Sequence, residues 1–186
     1  MPQTATNIAP SKIIAPQFRL KDTNSNYYYS FRDLKGLKGT LIIFLSNDCP
    51  FVNHALEEIL MIAHDYRVQG IGIIAISSND INQEPHDGPA FMTEFAFKNN
   101  LSFPYLYDDR QEVARALSAT FAPDFYLFDS NDELFYHGQL DDSRPANNIS
   151  LSGTDLRCAI DAVIYNRSIP NLQKPSVGCK IKWQQY

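Results

Sequence analysis

Two continuous apolar runs with one amphipathic helix between them constrain this chain most. Thr40–Ser46 (TLIIFLS) and Ile71–Ser78 (IGIIAISS) are rich in β-branched residues and lack polar alternation, which marks strands buried on both faces. Between them Val52, Ala55, Leu56, Ile59, Leu60 and Ala63 recur at helical spacing. Pro50 suits the first helical position, where its missing N–H costs nothing. A buried strand, a helix and a second buried strand require a parallel pair joined by a crossover.

The flanking segments extend this unit. Phe18–Leu20 and Tyr27–Ser30 read as short strands around the polar turn at Asp22–Asn26. The spacing predicts helices over Pro89–Asn100 and Gln111–Ala119, with a strand over Phe103–Tyr107. Phe125–Phe128 and Glu133–Tyr136 flank Asp129-Ser130-Asn131-Asp132, a hairpin turn signal. Thr154 is expected to cap a last helix bearing Leu156, Ala159, Ile160, Val163 and Ile164 on one face. The predicted class is α/β, a mixed central sheet flanked by helices. A strand ending in a Cys at a helix start, with an X-Pro before a late hairpin, suggests the thioredoxin fold. The expected organisation is an N-terminal arm (1–14), a domain with an N-terminal β-hairpin (15–167), and a C-terminal tail (168–186).

Composition narrows the function classes. The chain has 186 residues, suited to one α/β domain with a full core. Its net charge of -5, without a Lys/Arg cluster, gives no support to a nucleic-acid partner. Neither a signal-peptide pattern nor a membrane-length apolar run is present, so a cytoplasmic, membrane-free protein is expected. Three cysteines are too few, and odd in number, for a disulfide framework.

Cys49 stands apart from the other two. It lies where a buried strand gives way to a helix, at the end of the sheet where open α/β folds place their chemistry. Unpaired N–H groups and the positive end of the helix dipole favour thiolate over thiol there, and the thiolate is the nucleophile. The structural alternative is a plain helix cap, a role for which Ser or Asp serves better.

The segments Ser46–His54 (SNDCPFVNH), Asn79–Met92, Gln111–Asp129 (ending APDFYLFD), Gly138–Pro145 (GQLDDSRP) and Lys174–Trp183 (KPSVGCKIKW) carry a family resemblance. From about Ala15 to Trp183 the chain resembles the peroxiredoxin-like, AhpC/TSA-like redoxins of the thioredoxin superfamily. The resemblance aligns Cys49 with the nucleophilic cysteine of thioredoxin's Cys-x-x-Cys, and the second position falls on Val52. It implies a substrate-binding surface at Pro50, Ala122 and Pro123. Pro123 would follow a cis peptide bond and leave backbone groups of Ala122 to pair with an extended substrate. It also implies antioxidant redox activity with no cofactor. The partners would be a protein or small-molecule disulfide or a hydroperoxide, and an external thiol reductant.

Two departures bear on mechanism. Related chains often carry cysteines where Ser46 and Phe121 stand here, so Cys49 acts alone or with a distant partner. The resemblance points to Cys179 as that partner, within one chain or between two chains of a homodimer. Its tail, with two prolines and Gly178, is not expected to form regular structure, although Ile181 and Trp183 could anchor it as a short edge strand. Gly178 would permit close backbone approach beside the thiol.

Three readings stay open. The first is thiol–disulfide exchange at Cys49. The second is a peroxiredoxin-type peroxidase, for which Ser46 matches the hydroxyl position but Ile42 and Pro123 replace the expected Pro and Arg. The third is a binding module without redox turnover. The remaining signals read as structural. His54 is expected to face solvent, Asp141–Pro145 to form a solvated turn with a local ion pair, and Cys158 to be a spectator. A metal site is rejected, because Asn53 occupies the position four after Cys49 and no His has ligand spacing to a cysteine.

Overall fold

The computed structural model describes residues 12–168 and 173–185. Most of the arm assigned to 1–14, and residues 169–172 and 186 of the tail, lie outside the described residues. In chain order the elements are β1 (Arg19–Asp22), β2 (Tyr28–Ser30), α1 (Phe31–Leu34), β3 (Gly39–Phe44), α2 (Pro50–Arg67) and β4 (Ile71–Ser77). There follow α3 (Pro89–Lys98), β5 (Tyr105–Tyr107), α4 (Glu112–Leu117), β6 (Phe121–Ala122) and β7 (Asp124–Asp129). The chain closes with β8 (Leu134–Gly138), α5 (Thr154–Ile164) and β9 (Cys179–Lys180).

Seven strands form one mixed sheet in the order β2-β1-β5-β4-β3-β7-β8. β3 pairs in parallel with β4, and β4 with β5, while β7 runs antiparallel to β3. Alternation along β3 divides its side chains between the two faces. Leu41 and Ile43 pack with Val52, Ala55 and Ile59 of α2 and with Leu156 and Ile160 of α5. Ile42 and Phe44 turn the other way, to Phe31 of α1 and to Val113, Ala114 and Leu117 of α4. Both faces are covered, which is why β3 reads as an unbroken apolar run. Among the described residues no helix is long and apolar enough to cross a membrane.

Several element ends differ from the sequence expectation, each for a local reason. The fifth strand begins at Tyr105 and not Phe103, since Pro104 has no N–H to give a ladder. Gly153, not Thr154, is the N-cap of α5, with φ 62°, a left-handed conformation that glycine adopts without strain. Its N–H is bound from a distance by the Asp141 carboxylate at 2.7 Å.

Within the described residues 173–185 the tail docks on the domain. β9 pairs antiparallel with β6, setting Ala122 opposite Cys179 and Phe121 opposite Lys180. Ile181 is 6% exposed and joins the core under α4. The Trp183 ring lies beneath the Arg115 guanidinium. The anchoring expected of Ile181 and Trp183 is thus present, and the expectation of an irregular tail is corrected for Cys179–Lys180.

Candidate functional site

α2 begins where β3 ends, and Cys49 is its N-cap residue. Asn53 N–H makes a 3.0 Å bond to the Cys49 carbonyl, so the N–H groups of Phe51 and Val52 precede the helical ladder. Both belong to the first turn of the helix that Cys49 caps. Pro50 is exposed at the first helical position, whereas Ala122 and Pro123 are buried. The Ala122–Pro123 peptide bond is cis, as the resemblance implied. The Cys49 sulfur lies 3.1 Å from the Ala122 carbonyl oxygen, which accepts the S–H when the thiol is reduced and protonated.

Cys49 is joined to Cys179 by a disulfide spanning 130 positions, with Cα atoms 6.0 Å apart. That separation is ordinary for a disulfide. Cys49 is 2% exposed, and Cys179 is half-buried. Cys158 is exposed on α5 and forms no disulfide.

The loop carrying Cys49 is fixed by a buried carboxylate that sequence reasoning missed. Asp87 accepts from Ser46 Oγ at 2.8 Å, Asn47 N–H at 2.6 Å and Asn79 Nδ2 at 2.5 Å. The same Asn79 side chain accepts from the Lys182 N–H at 2.7 Å. One amide therefore ties the Cys49 loop to the tail that bears Cys179. Tyr105 donates to Asn47 Oδ1 at 3.0 Å. Burial first, then the Asp87 charge, push its phenol well above the ordinary range, so it stays a donor. Asn79 and Asp87 stand within a family segment, but their pairing across eight positions has no periodicity to reveal it. Asp87→Ala is expected to strand three buried donors and cost about 3 kcal/mol of stability, measured by urea unfolding. Asp87→Asn should lose less, because an amide oxygen remains.

Two surroundings differ from the sequence expectation. His54 is not solvent-facing: it is half-buried, with Nε2 2.8 Å from Ser143 Oγ. A helix-wheel argument fails there because the 141–152 loop covers that side of α2. Asp141–Pro145 is not a solvated turn with a local ion pair either: the pair it makes runs from exposed Asp142 to Lys174 in the tail, at 2.6 Å. Asp141 is 3% exposed and accepts from the N–H groups of Ser143, Ser152 and Gly153. Arg144 donates to the carbonyls of Asp141 and Ser143 and to Gln139 Oε1, not to a carboxylate.

Known proteins place this site in a family. The AhpC/TSA family model matches residues 13–137, the greater part of the chain and the part that holds Cys49 and Pro123. The chain belongs to the AhpC/TSA family. A crystal structure of an uncharacterized conserved protein from Geobacillus kaustophilus is 43% identical, with a TM-score of 0.92, covering 100% of this chain and 98% of that one. A hypothetical protein from Sinorhizobium meliloti 1021 is 38% identical, with a TM-score of 0.90, over 93% of this chain and 94% of its own. A putative thioredoxin from Neisseria meningitidis, 24% identical with a TM-score of 0.64, covers 84% of this chain and 92% of its own. That likeness shows the thioredoxin fold. No curated protein matches the sequence. The family and the fold together make this AhpC/TSA chain a redox protein of the thioredoxin superfamily.

Proposed function

We propose that this AhpC/TSA protein carries out thiol–disulfide exchange, with Cys49 as nucleophile and Cys179 as its resolving partner. The observation that carries the reading is the apposition of the two sulfurs across 130 positions of chain, at a helix N-terminus and beside a cis-proline. The Cys49 thiolate attacks one sulfur of a substrate disulfide, forming a mixed disulfide and expelling one substrate thiolate. The Cys179 thiolate then attacks the Cys49 sulfur, expels the second thiolate and closes the Cys49–Cys179 bond. The substrate gains two electrons and the cysteine pair loses two. An external dithiol of lower potential returns the pair to its reduced form.

The alternatives fit less well. At the positions of the peroxidase Pro and Arg stand Ile42 and Pro123, both buried and neither able to hold a peroxide by charge. A binding module would need the Ala122 edge free, and that edge pairs with the tail. Reduced protein challenged with one equivalent of glutathione disulfide should release two glutathiones and form the Cys49–Cys179 bond. Cys179→Ser should instead release one and stop as a glutathione adduct at Cys49, read by intact mass. An adduct on Cys158, with Cys49 still alkylatable, would defeat the assignment.

A further inference from the structure

The strand edge beside Pro123 is filled by the protein's own tail, and this bears on what the site accepts. Ala122 is paired with Cys179 and Phe121 with Lys180. The Ile181 N–H extends the pairing with a 2.9 Å bond to the Thr120 carbonyl. An extended polypeptide substrate would need those same backbone groups. We infer that the site takes low-molecular-mass disulfides and excludes extended polypeptide ones, an inference that rests on the exchange reading above.

The tail is held on both sides of Cys179 by contacts that do not involve its sulfur. Before it, Ser176 Oγ lies within 2.7 Å of both Asp124 Oδ1 and the Gly138 carbonyl, and Gln139 N–H donates to the Lys174 carbonyl at 3.0 Å. Beyond it, the Lys182 N–H binds Asn79, and its carbonyl accepts from the Asp80 N–H and Gln111 Nε2. Ile181 is buried in the core between these anchors. Breaking the S–S bond removes none of these contacts, so reduction leaves the tail docked and Cys179 within reach of Cys49. The side that remains is that of Cys179, which is half-exposed while Cys49 is 2% exposed. A small disulfide has no need of the β6 edge, and it approaches the buried Cys49 from the Cys179 side alone. A polypeptide can pair only in molecules whose tail has lifted, a minor population of about 1% or less.

The test uses the reduced full chain in single turnover with glutathione disulfide and with insulin, at equal disulfide concentration. Cys49 oxidation is followed by acid quench and alkylation. Glutathione disulfide should oxidise Cys49 at least about 100-fold faster than insulin, the factor set by the lifted population. Ile181→Asp, which removes the tail's apolar anchor, should raise the insulin rate about 10-fold or more. Comparable rates for the two substrates in the wild type would overturn the inference and leave the exchange reading standing. Failure of both to oxidise Cys49 would overturn the reading itself, and the inference with it. Hydrogen exchange needs no variant: the Ile181 and Lys182 amides should stay protected in the reduced protein. Their exchange at unfolded rates would overturn the docked tail.

Discussion

Cys49→Ser should lower the rate of glutathione disulfide reduction by at least about 1,000-fold, since a serine hydroxyl at neutral pH is a far poorer nucleophile than a thiolate. The fold should survive, because Cys49 caps α2 without any side-chain hydrogen bond to the helix. What disappears is the bond to Cys179, and with it a closed loop spanning 130 positions. By chain entropy that bond is worth about 4–5 kcal/mol to the oxidised protein. The oxidised wild type should therefore unfold at higher urea than the variant, while the reduced wild type and the variant unfold together. Cys158→Ser should change neither rate nor stability, since its side chain is exposed on α5. Thiol release and urea unfolding on the three proteins check all of this.

Gly178→Ala should be the next most damaging change. A Cβ there would lie 2.1 Å from the Ala122 carbonyl oxygen, 2.6 Å from its carbon and 3.0 Å from Pro123 N. Each of these is backbone, so no side chain can swing away. The tail must lift by about an ångström or more at the residue before Cys179, which strains the pairing of β9 with β6. A shift of that order typically costs about 100-fold in a reaction that depends on placement. Closure of the Cys49–Cys179 bond should slow accordingly, and the Cys49 mixed disulfide should accumulate in a mass-spectrometric time course. Stability should fall by about 1–3 kcal/mol, as for other overpacked sites. A variant that closes the bond at the wild-type rate would show that the close approach at Gly178 has no part in resolution.

The parts of this molecule that follow from side-chain periodicity were legible from the sequence, and those built on backbone bonds were not. The runs at Thr40–Ser46 and Ile71–Ser78 became β3 and β4, because a strand covered on both faces must be apolar at every position. The stripe of α2 and the break at Pro50 put Cys49 at a helix start. The cis bond before Pro123 followed only from the family resemblance, since most X-Pro bonds are trans.

The docked tail was only half visible. Ile181 and Trp183 announced an anchor, but the rest of the docking rests on single bonds to Asn79, Asp80, Gln111, Asp124 and Gly138, which have no sequence pattern. Asp141 and His54 were misjudged for the same reason. A polar residue reads as exposed until the loop that covers it is known, and here that loop is held by the Asp141 carboxylate itself.

The central claim is that Cys49 and Cys179 form one redox couple. Its most direct measurement is a redox titration of the full chain in glutathione buffers of defined potential, with alkylation, digestion and mass spectrometry at each point. The account predicts one two-electron transition in which a Cys49–Cys179 linked peptide replaces two alkylated peptides together, while Cys158 stays alkylated throughout. Cys49 passing to a glutathione adduct or a sulfenic acid, with Cys179 alkylated at every potential, would contradict it.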